Sequence, residues 1–405
     1  MRLNPLNALT VNEKKTYIRD SLRALPEGFV IGLTQTFFLY IAIAFFDASD
    51  FAKSLISAGQ FIGFFAAIFS GYVLGRLKKA SAAALLTFLG SVFVILTGCV
   101  NNTMMYVGAV VISGVLLYLR PPLFTAVYQE NYRRHHLGRL FSAFVFLSTV
   151  SGLIAGSLIG FILERDIALF RPVFIVSGAS LLLTSYLVYT IPSTEIQRED
   201  GAGFVADLSL LVKDRVFGRI SFSWFLMGFA NLWTLPLRVV YLAESGRGLG
   251  LSPLTVSIMM GIVPNATRLL MNRVWAVLFD KIGLLYYRIL VNVFIGTGIL
   301  LFFSSRNLIT VNIGNVLVNI GLSGSPFIWN LWVNKIAPPG ESHRYMSVHT
   351  FLAGIRGIMA PFLGFMFIQS FSLRTIGFAS AGLILLSILL LLPLISTFQS
   401  VQSSN

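Results

Sequence analysis

Long apolar blocks, each of about 18 to 26 residues, follow one another along the chain with short polar breaks between them. Each is long enough to cross a hydrocarbon core about 30 Å thick as a helix. They fall near residues 26–46, 54–74, 80–100, 103–129, 138–162, 168–191, 217–242, 252–279, 284–304, 308–333, 344–370 and 374–397, which predicts about twelve transmembrane helices. A barrel does not fit, because barrel strands alternate apolar and polar over only about ten residues.

Composition points to the same class, an all-α membrane protein. Of 405 residues, 56% are hydrophobic and 11% charged, whereas soluble domains carry about 25% charged residues. The first 24 residues hold Arg2, Lys14, Lys15, Arg19 and Arg23 and no apolar core of signal-peptide length, so no cleaved leader is expected. Ile18, Leu22 and Leu25 fall at helical spacing and predict a short interfacial helix ahead of the first span. The one cysteine, Cys99, excludes an intrachain disulfide or a CxxC metal site, and its apolar setting predicts packing.

Charge sets the expected orientation. With the N-terminus inside, nineteen Lys and Arg fall on inner segments and six on outer loops: Lys53, Arg165, Arg171, Arg247, Arg306 and Arg374. Basic residues collect on the cytoplasmic side, so both termini are expected there, in an inner (plasma) membrane. The net charge of +14 follows largely from this bias, and no nucleic-acid partner is needed to explain it.

The chain also repeats. Splitting it at the polar segment 191–215 leaves about six spans on each side, and a shift of 205 residues pairs Asn102 with Asn307, Pro121 with Pro326, Arg139 with Arg344, Ser142 with Ser347, Gly152 with Gly357 and Ala155 with Ala360. Together these hold one register from the third span of each half into the fifth. The expected organisation is residues 1–190 as an N-terminal six-helix half, 191–216 as a linker, and 217–405 as a C-terminal six-helix half. In the linker, Phe204, Leu208, Leu211 and Val212 beside Asp207, Lys213 and Asp214 predict an amphipathic helix. Two parallel halves suit a transporter with its substrate site at the repeat interface near the midplane.

After the eighth span the chain reads AVLFDKIGLL. This resembles the loop signature of the major facilitator superfamily, G-x-L-x-D-R/K-x-G-R/K, through Leu278, Asp280, Lys281 and Gly283, with Ala276 and Leu284 departing from it. The first-half counterpart, GYVLGRLKK, keeps Gly71, Arg76 and Lys79 but has Gly75 for the acid and Lys78 for the glycine. The resemblance implies the superfamily fold and a gating role for this loop, with Asp280 as the candidate latch; the alternative is that Asp280 and Lys281 mark the water interface. The fifth and eleventh spans resemble the superfamily's glycine-rich packing helices, through Gly152, Gly156 and Gly160 in one and Gly357, Pro361 and Gly364 in the other. Small residues let helices approach closely, and a proline bends a helix where neighbours satisfy the freed carbonyl.

Arg120, Arg268 and Arg356 each lie about ten to twelve residues from a span end, hence about 15 Å deep at a rise of about 1.5 Å per residue. A cation there costs about 2.5–3.5 kcal/mol or more, so it faces a partner or a wet cavity. Arg238 and Arg273 sit near helix ends and can snorkel. Of the acids, Glu27 alone is placed inside a span, which leaves positive charge in excess. The chemistry indicated is an anion such as a carboxylate, phosphate or sulfonate held by guanidinium groups; the structural alternative is arginine bonded to helix-end carbonyls.

Polar stripes add to a wet interior: Asn312, Asn315, Asn319, Ser323, Asn330 and Asn334 on the tenth span, Asn231, Thr234, Arg238 and Tyr241 on the seventh, and Asn265, Arg268 and Asn272 on the eighth. Interhelical hydrogen bonding is the alternative for these. Thr34, Gln35 and Thr36 belt the first span. His349, on the same helix face as Arg356, is a candidate for proton coupling alongside Glu27, with a packed histidine as the alternative. No Walker loop, GxSxG motif or metal cluster is present, so neither an ATP-driven pump nor an enzyme is expected, and no cofactor.

The expected function is secondary active transport of a small organic anion, bound by Arg268, Arg356 and Arg120 with Gln35, Asn231, Asn265 and Asn330. Gating falls to Asp280, Lys281, Gly283, Gly71, Arg76, Gly357 and Pro361. A proton or sodium ion is the coupling ion considered, the lipid bilayer the surroundings, and a monomer the functional unit. Efflux of amphipathic compounds and a non-transporting receptor on the same fold are the alternatives.

Overall fold

The computed structural model describes residues 9–66, 74, 76–196, 208–333, 336–337 and 342–402. Among them the fold is helical, with one isolated bridge, Lys78 to Glu195, outside the helices. Among the described residues eleven helices are long and apolar enough to cross a membrane, and the described part of the second predicted span belongs to the 17-residue helix Asp50–Ala66. The protein is an integral membrane protein, and the predicted twelve spans correspond to helices.

Two compact units divide the chain: Met1–Glu199 with Ser252–Gly261, and Asp200–Leu251 with Ile262–Asn405. In unit 1 the helices are α1 (Val11–Ala44), α2 (Asp50–Ala66), α3 (Lys79–Cys99), α4 (Thr103–Tyr118), α5 (Pro121–Asn131), α6 (Arg134–Arg165) and α7 (Phe170–Tyr189). Next come α8 (Arg215–Ala243), α9 (Pro253–Ser257), a π-helical turn Ile258–Ile262, α10 (Val263–Lys281), α11 (Leu284–Ser304), α12 (Leu308–Leu331), α13 (Ser342–Phe367) and α14 (Leu373–Gln402). In unit 1 α1 packs on α6 and α7, α2 on α4, and α3 on α4 and α7. Unit 2 repeats the scheme, with α8 on α13 and α14, α10 on α12, and α11 on α12 and α14.

Local sequence explains the starts and stops. Asn102 caps α4, its Oδ1 accepting from the amide of Met104 at 2.8 Å, and Asn307 caps α12 by accepting from Ile309 N at 2.8 Å. These are the first of the residues paired by the 205-residue shift, so at this position the sequence repeat is a repeated helix cap. The fourth span breaks at Arg120 because Pro121 and Pro122 follow it and start α5.

Three expectations are corrected. The N-terminal segment is not a separate interfacial helix: a capping box at Thr10 and Glu13 starts one 34-residue helix that runs through Pro26 into the first span. Ile18, Leu22 and Leu25 are exposed on it, the apolar stripe being outward. Cys99 is exposed at the end of α3 rather than packed. In the linker, Phe204 lies outside the described residues. Leu210–Lys213 make a single turn, because Asp214 caps α8 by accepting from Val216 N and Phe217 N at 3.1 and 3.0 Å.

Glycines set the close approaches within each unit. A Cβ on Gly32 of α1 would stand 2.6 Å from the Gly152 carbonyl oxygen of α6, and one on Gly160 2.8 Å from the Ser257 Cβ of α9. Ser257 Oγ donates to the Gly156 carbonyl at 2.5 Å. On α13, a Cβ at Gly364 would lie 2.7 Å from the Trp233 ring of α8; Gly357 and Pro361 are buried on the same helix.

Candidate functional site

In unit 1, Glu13, Thr16, Asp20, Arg23 and Glu27 recur every three or four residues on α1, and all are buried. Such spacing places them on one helix face. Arg23 donates from Nε to Asp20 Oδ1 at 2.7 Å, from Nη1 to Glu27 Oε1 at 2.7 Å and from Nη2 to the Tyr128 hydroxyl at 2.5 Å. Its guanidinium carbon lies 4.1 and 4.3 Å from the ring centroids of Phe124 and Phe144. Arg120 Nη1 donates to the same Glu27 oxygen at 3.1 Å and to Thr87 Oγ1 at 2.9 Å, while its Nε reaches the Leu117 carbonyl at 2.9 Å. Tyr132 closes the network by donating to Asp20 Oδ2 at 3.1 Å.

Two arginines thus face two carboxylates. The reading that Glu27 is the single buried acid is corrected by Asp20 and Glu13, and Arg23, counted as an inner-surface charge, is buried. Arg120 is held by Glu27 and so drops out of the unbalanced set.

At the rim of this unit, beyond the spans, Glu13 accepts from Arg133 N at 3.1 Å and from its Nη2 at 3.0 Å. Lys79 Nζ donates to Glu130, whose other oxygen accepts from Thr194 N at 3.0 Å. Burial pushes the Glu130 carboxyl up, but hydrogen bonds from Lys79 and Thr194 outweigh it and hold it below the usual carboxylate range. Backbone pairing of Lys79 N with Thr194 O at 3.0 Å and Ile196 N with Leu77 O at 3.1 Å fixes the loop carrying Arg76, itself exposed. Gly71 lies outside the described residues.

Unit 2 contrasts with this. Arg238, expected to snorkel, is instead 2% exposed, and its Nη2 donates to Asn231 Oδ1 at 2.7 Å. The spacing of seven between these residues on α8 brings them onto one face. Arg268 on α10 keeps an accessible side chain and is near enough for its charge to act on Arg238. Arg356 on α13 donates to the Trp224 carbonyl at 2.6 Å. A Cβ on Gly228 would collide with its guanidinium, so that glycine makes the room Arg356 occupies.

Arg288 lies near the start of the predicted span 284–304 and is counted by sequence only among the inner-segment charges, not as a buried cation. On α11 the residue is 1% exposed, with its guanidinium carbon 3.6 Å from the centre of the Trp224 ring. Trp224 stacks on Trp332 at 5.5 Å and Trp332 on Phe217 at 5.7 Å. His349 meets Trp224 and Trp332 edge-on at 4.8 and 5.1 Å, within the field of Arg356 and Arg288. A desolvated cation–π contact contributes about 2 kcal/mol, whereas burying an ion costs several. Trp224 alone does not compensate Arg288. Arg238, Arg268 and Arg288 form no ion pair among the described residues.

The asparagine stripe of α12 is partly internal: Asn319 Nδ2 donates to the Asn315 carbonyl at 2.8 Å, and Ser323 to that of Ile320 at 2.6 Å. Asn265 is half-buried on α10, three residues before Arg268. Thr34 bonds back to Ile31 and Thr36 is buried, while the side chains of Gln35, Asn330 and Asp280 lie outside the described residues. Lys281 ends α10, and Gly283 precedes α11 with an ordinary φ of −61° and room for a side chain.

By sequence, no curated protein matches this chain. Solved structures match it along nearly all its length. A single-residue variant of the nucleoside transporter NupG superposes with a TM-score of 0.76 at 12% identity, covering 94% of this chain and 100% of that one. A D-xylose-proton symporter gives 0.71 at 16% identity, covering 93% and 97%. The human organic anion transporter MFSD10 gives 0.61 at 14% identity, covering 96% and 100%. These likenesses show the fold, two parallel six-helix repeats. With the Major Facilitator Superfamily profile matching residues 28–361, the chain belongs to that superfamily of membrane transporters.

Proposed function

We propose that this protein is a secondary active transporter of small organic anions, working by alternating access. The observation that carries the reading is charge: unit 1 neutralises its buried arginines, whereas Arg238 and Arg268 of unit 2 stand without a carboxylate among the described residues. A guanidinium offers a carboxylate or phosphate two parallel N–H donors. Asn231 orients Arg238, and the accessible Arg268 makes first contact with the anion, with Asn265 beside it. Arg356, anchored on Trp224 and packed against Gly228, adds positive potential. The organic anion carried by one structural neighbour is the chemistry proposed, and the proton coupling of another makes a proton the coupling ion, with His349 a candidate carrier. Lys281 and Asp280 gate, both termini face the cytoplasm from the plasma membrane, and a monomer suffices.

The test is the melting temperature of detergent-purified protein against anionic, neutral and cationic metabolites, beside Arg268→Ala. A ligand at about 100 times its Kd adds about 2.7 kcal/mol to the folded state. Anions alone should stabilise the wild type, and the shift should vanish in the variant. Neutral or cationic amphiphiles stabilising both proteins alike would refute the anion reading and favour efflux of amphipathic compounds.

A further inference from the structure

We propose that Arg288 anchors a second anion site, buried wholly inside unit 2 and suited to a small, weakly hydrated inorganic anion such as chloride. It is separate from the Arg268 site and does not depend on it.

All three guanidinium nitrogens of Arg288 are buried with no hydrogen-bond acceptor, and the indole Nε1 of the neighbouring Trp332 is buried in the same condition. These four atoms are all donors, so what they lack is an acceptor. The Trp224 ring covers the guanidinium carbon at 3.6 Å but offers no lone pair to the N–H groups. Arg356 adds positive potential nearby, and no carboxylate pairs with Arg288 among the described residues. An anion is the species that satisfies both conditions at once.

Enclosure sets its size. Trp224, Trp332 and His349 are each 2% exposed or less, so the surroundings are closed to bulk water and to a metabolite. A halide must shed its water to enter such a lining, at a lower cost than a more strongly hydrated anion such as phosphate, and the guanidinium is itself a weakly hydrated cation. One orphaned acceptor lies a turn further along α11, the Oδ1 of Asn292, whose amide donates to Ser387 Oγ at 3.1 Å. A water bridging Arg288 to Asn292 is the competing arrangement, and it predicts no dependence on the anion.

The experiment is the melting temperature of the full-length protein at constant ionic strength as gluconate is replaced by chloride or bromide. The wild type should show a saturable rise that is lost in Arg288→Met and kept in Arg268→Ala. Crystals grown in bromide should give an anomalous peak against the Arg288 guanidinium. Should Arg288→Met fail to fold, Trp332→Phe keeps the ring stack, removes one donor and should need more bromide for the same shift. Equal melting in gluconate and bromide, or bromide crystals with no peak at Arg288, would overturn the proposal and leave the bridging water.

Discussion

Glu27→Ala tests whether the buried network of unit 1 is a closed ion-pair system. Glu27 Oε1 accepts from Arg23 at 2.7 Å and from Arg120 at 3.1 Å, with the side chains of all three residues at most 11% exposed. Each hydrogen bond to a charged group contributes about 1.5–3 kcal/mol, and stranding one partner of a buried pair costs about 3–5 kcal/mol. The two routes agree on a loss of about 3–5 kcal/mol. At about 2–4 °C per kcal/mol for a unit of this size, the melting temperature should fall by about 6–20 °C, followed by far-ultraviolet circular dichroism in detergent. Adding Arg120→Met removes the stranded cation and leaves Arg23 opposite Asp20, so the double variant should melt above the Glu27→Ala single. That rescue is the coupling expected of contacting residues, about 0.5–3 kcal/mol. If Glu27→Ala melts with the wild type, or the second substitution only lowers it further, Glu27 does not hold Arg120, and the arginine returns to the set available to substrate.

Gly228→Ala should destabilise by about 1–3 kcal/mol, because its new methyl overlaps the Arg356 guanidinium; combining it with Arg356→Gln should recover most of the loss in the same melt. At the rim, the Glu130 carboxyl is held below its ordinary value of 4.5 in the folded state. Its contribution is therefore present above that value and is lost as pH falls through the folded one. The wild type should lose melting temperature over that acid interval more steeply than Glu130→Gln, and parallel curves would refute the Lys79–Glu130–Thr194 contact.

The helices were legible because span length and hydropathy are properties of each segment alone, and the repeat because Asn102 and Asn307 do the same capping job. What escaped were residues whose neighbours are set by packing between segments. Arg23 reads as a surface charge until α1 is seen to be continuous; the signal available was the run Glu13, Thr16, Asp20, Arg23, Glu27, polar at a spacing of three and four amid exposed Ile18, Leu22 and Leu25. Arg288, only four residues into α11, resembles an end-of-helix cation that can snorkel; nothing local says that Trp224 and Trp332, distant in sequence, close over it. Arg238 escaped for the same reason.

The aromatic stack of unit 2 has an optical consequence. All five tryptophans, Trp224, Trp233, Trp275, Trp329 and Trp332, lie in unit 2, and the helices of unit 1, α1 through α7 and α9, contain none. Intrinsic tryptophan fluorescence is therefore a reporter of one half of the chain. It should follow changes around Trp224 and Trp332 and stay nearly silent while the other half melts. Recording each melt by fluorescence and by circular dichroism would reveal, without any label, whether the two halves unfold together or in turn.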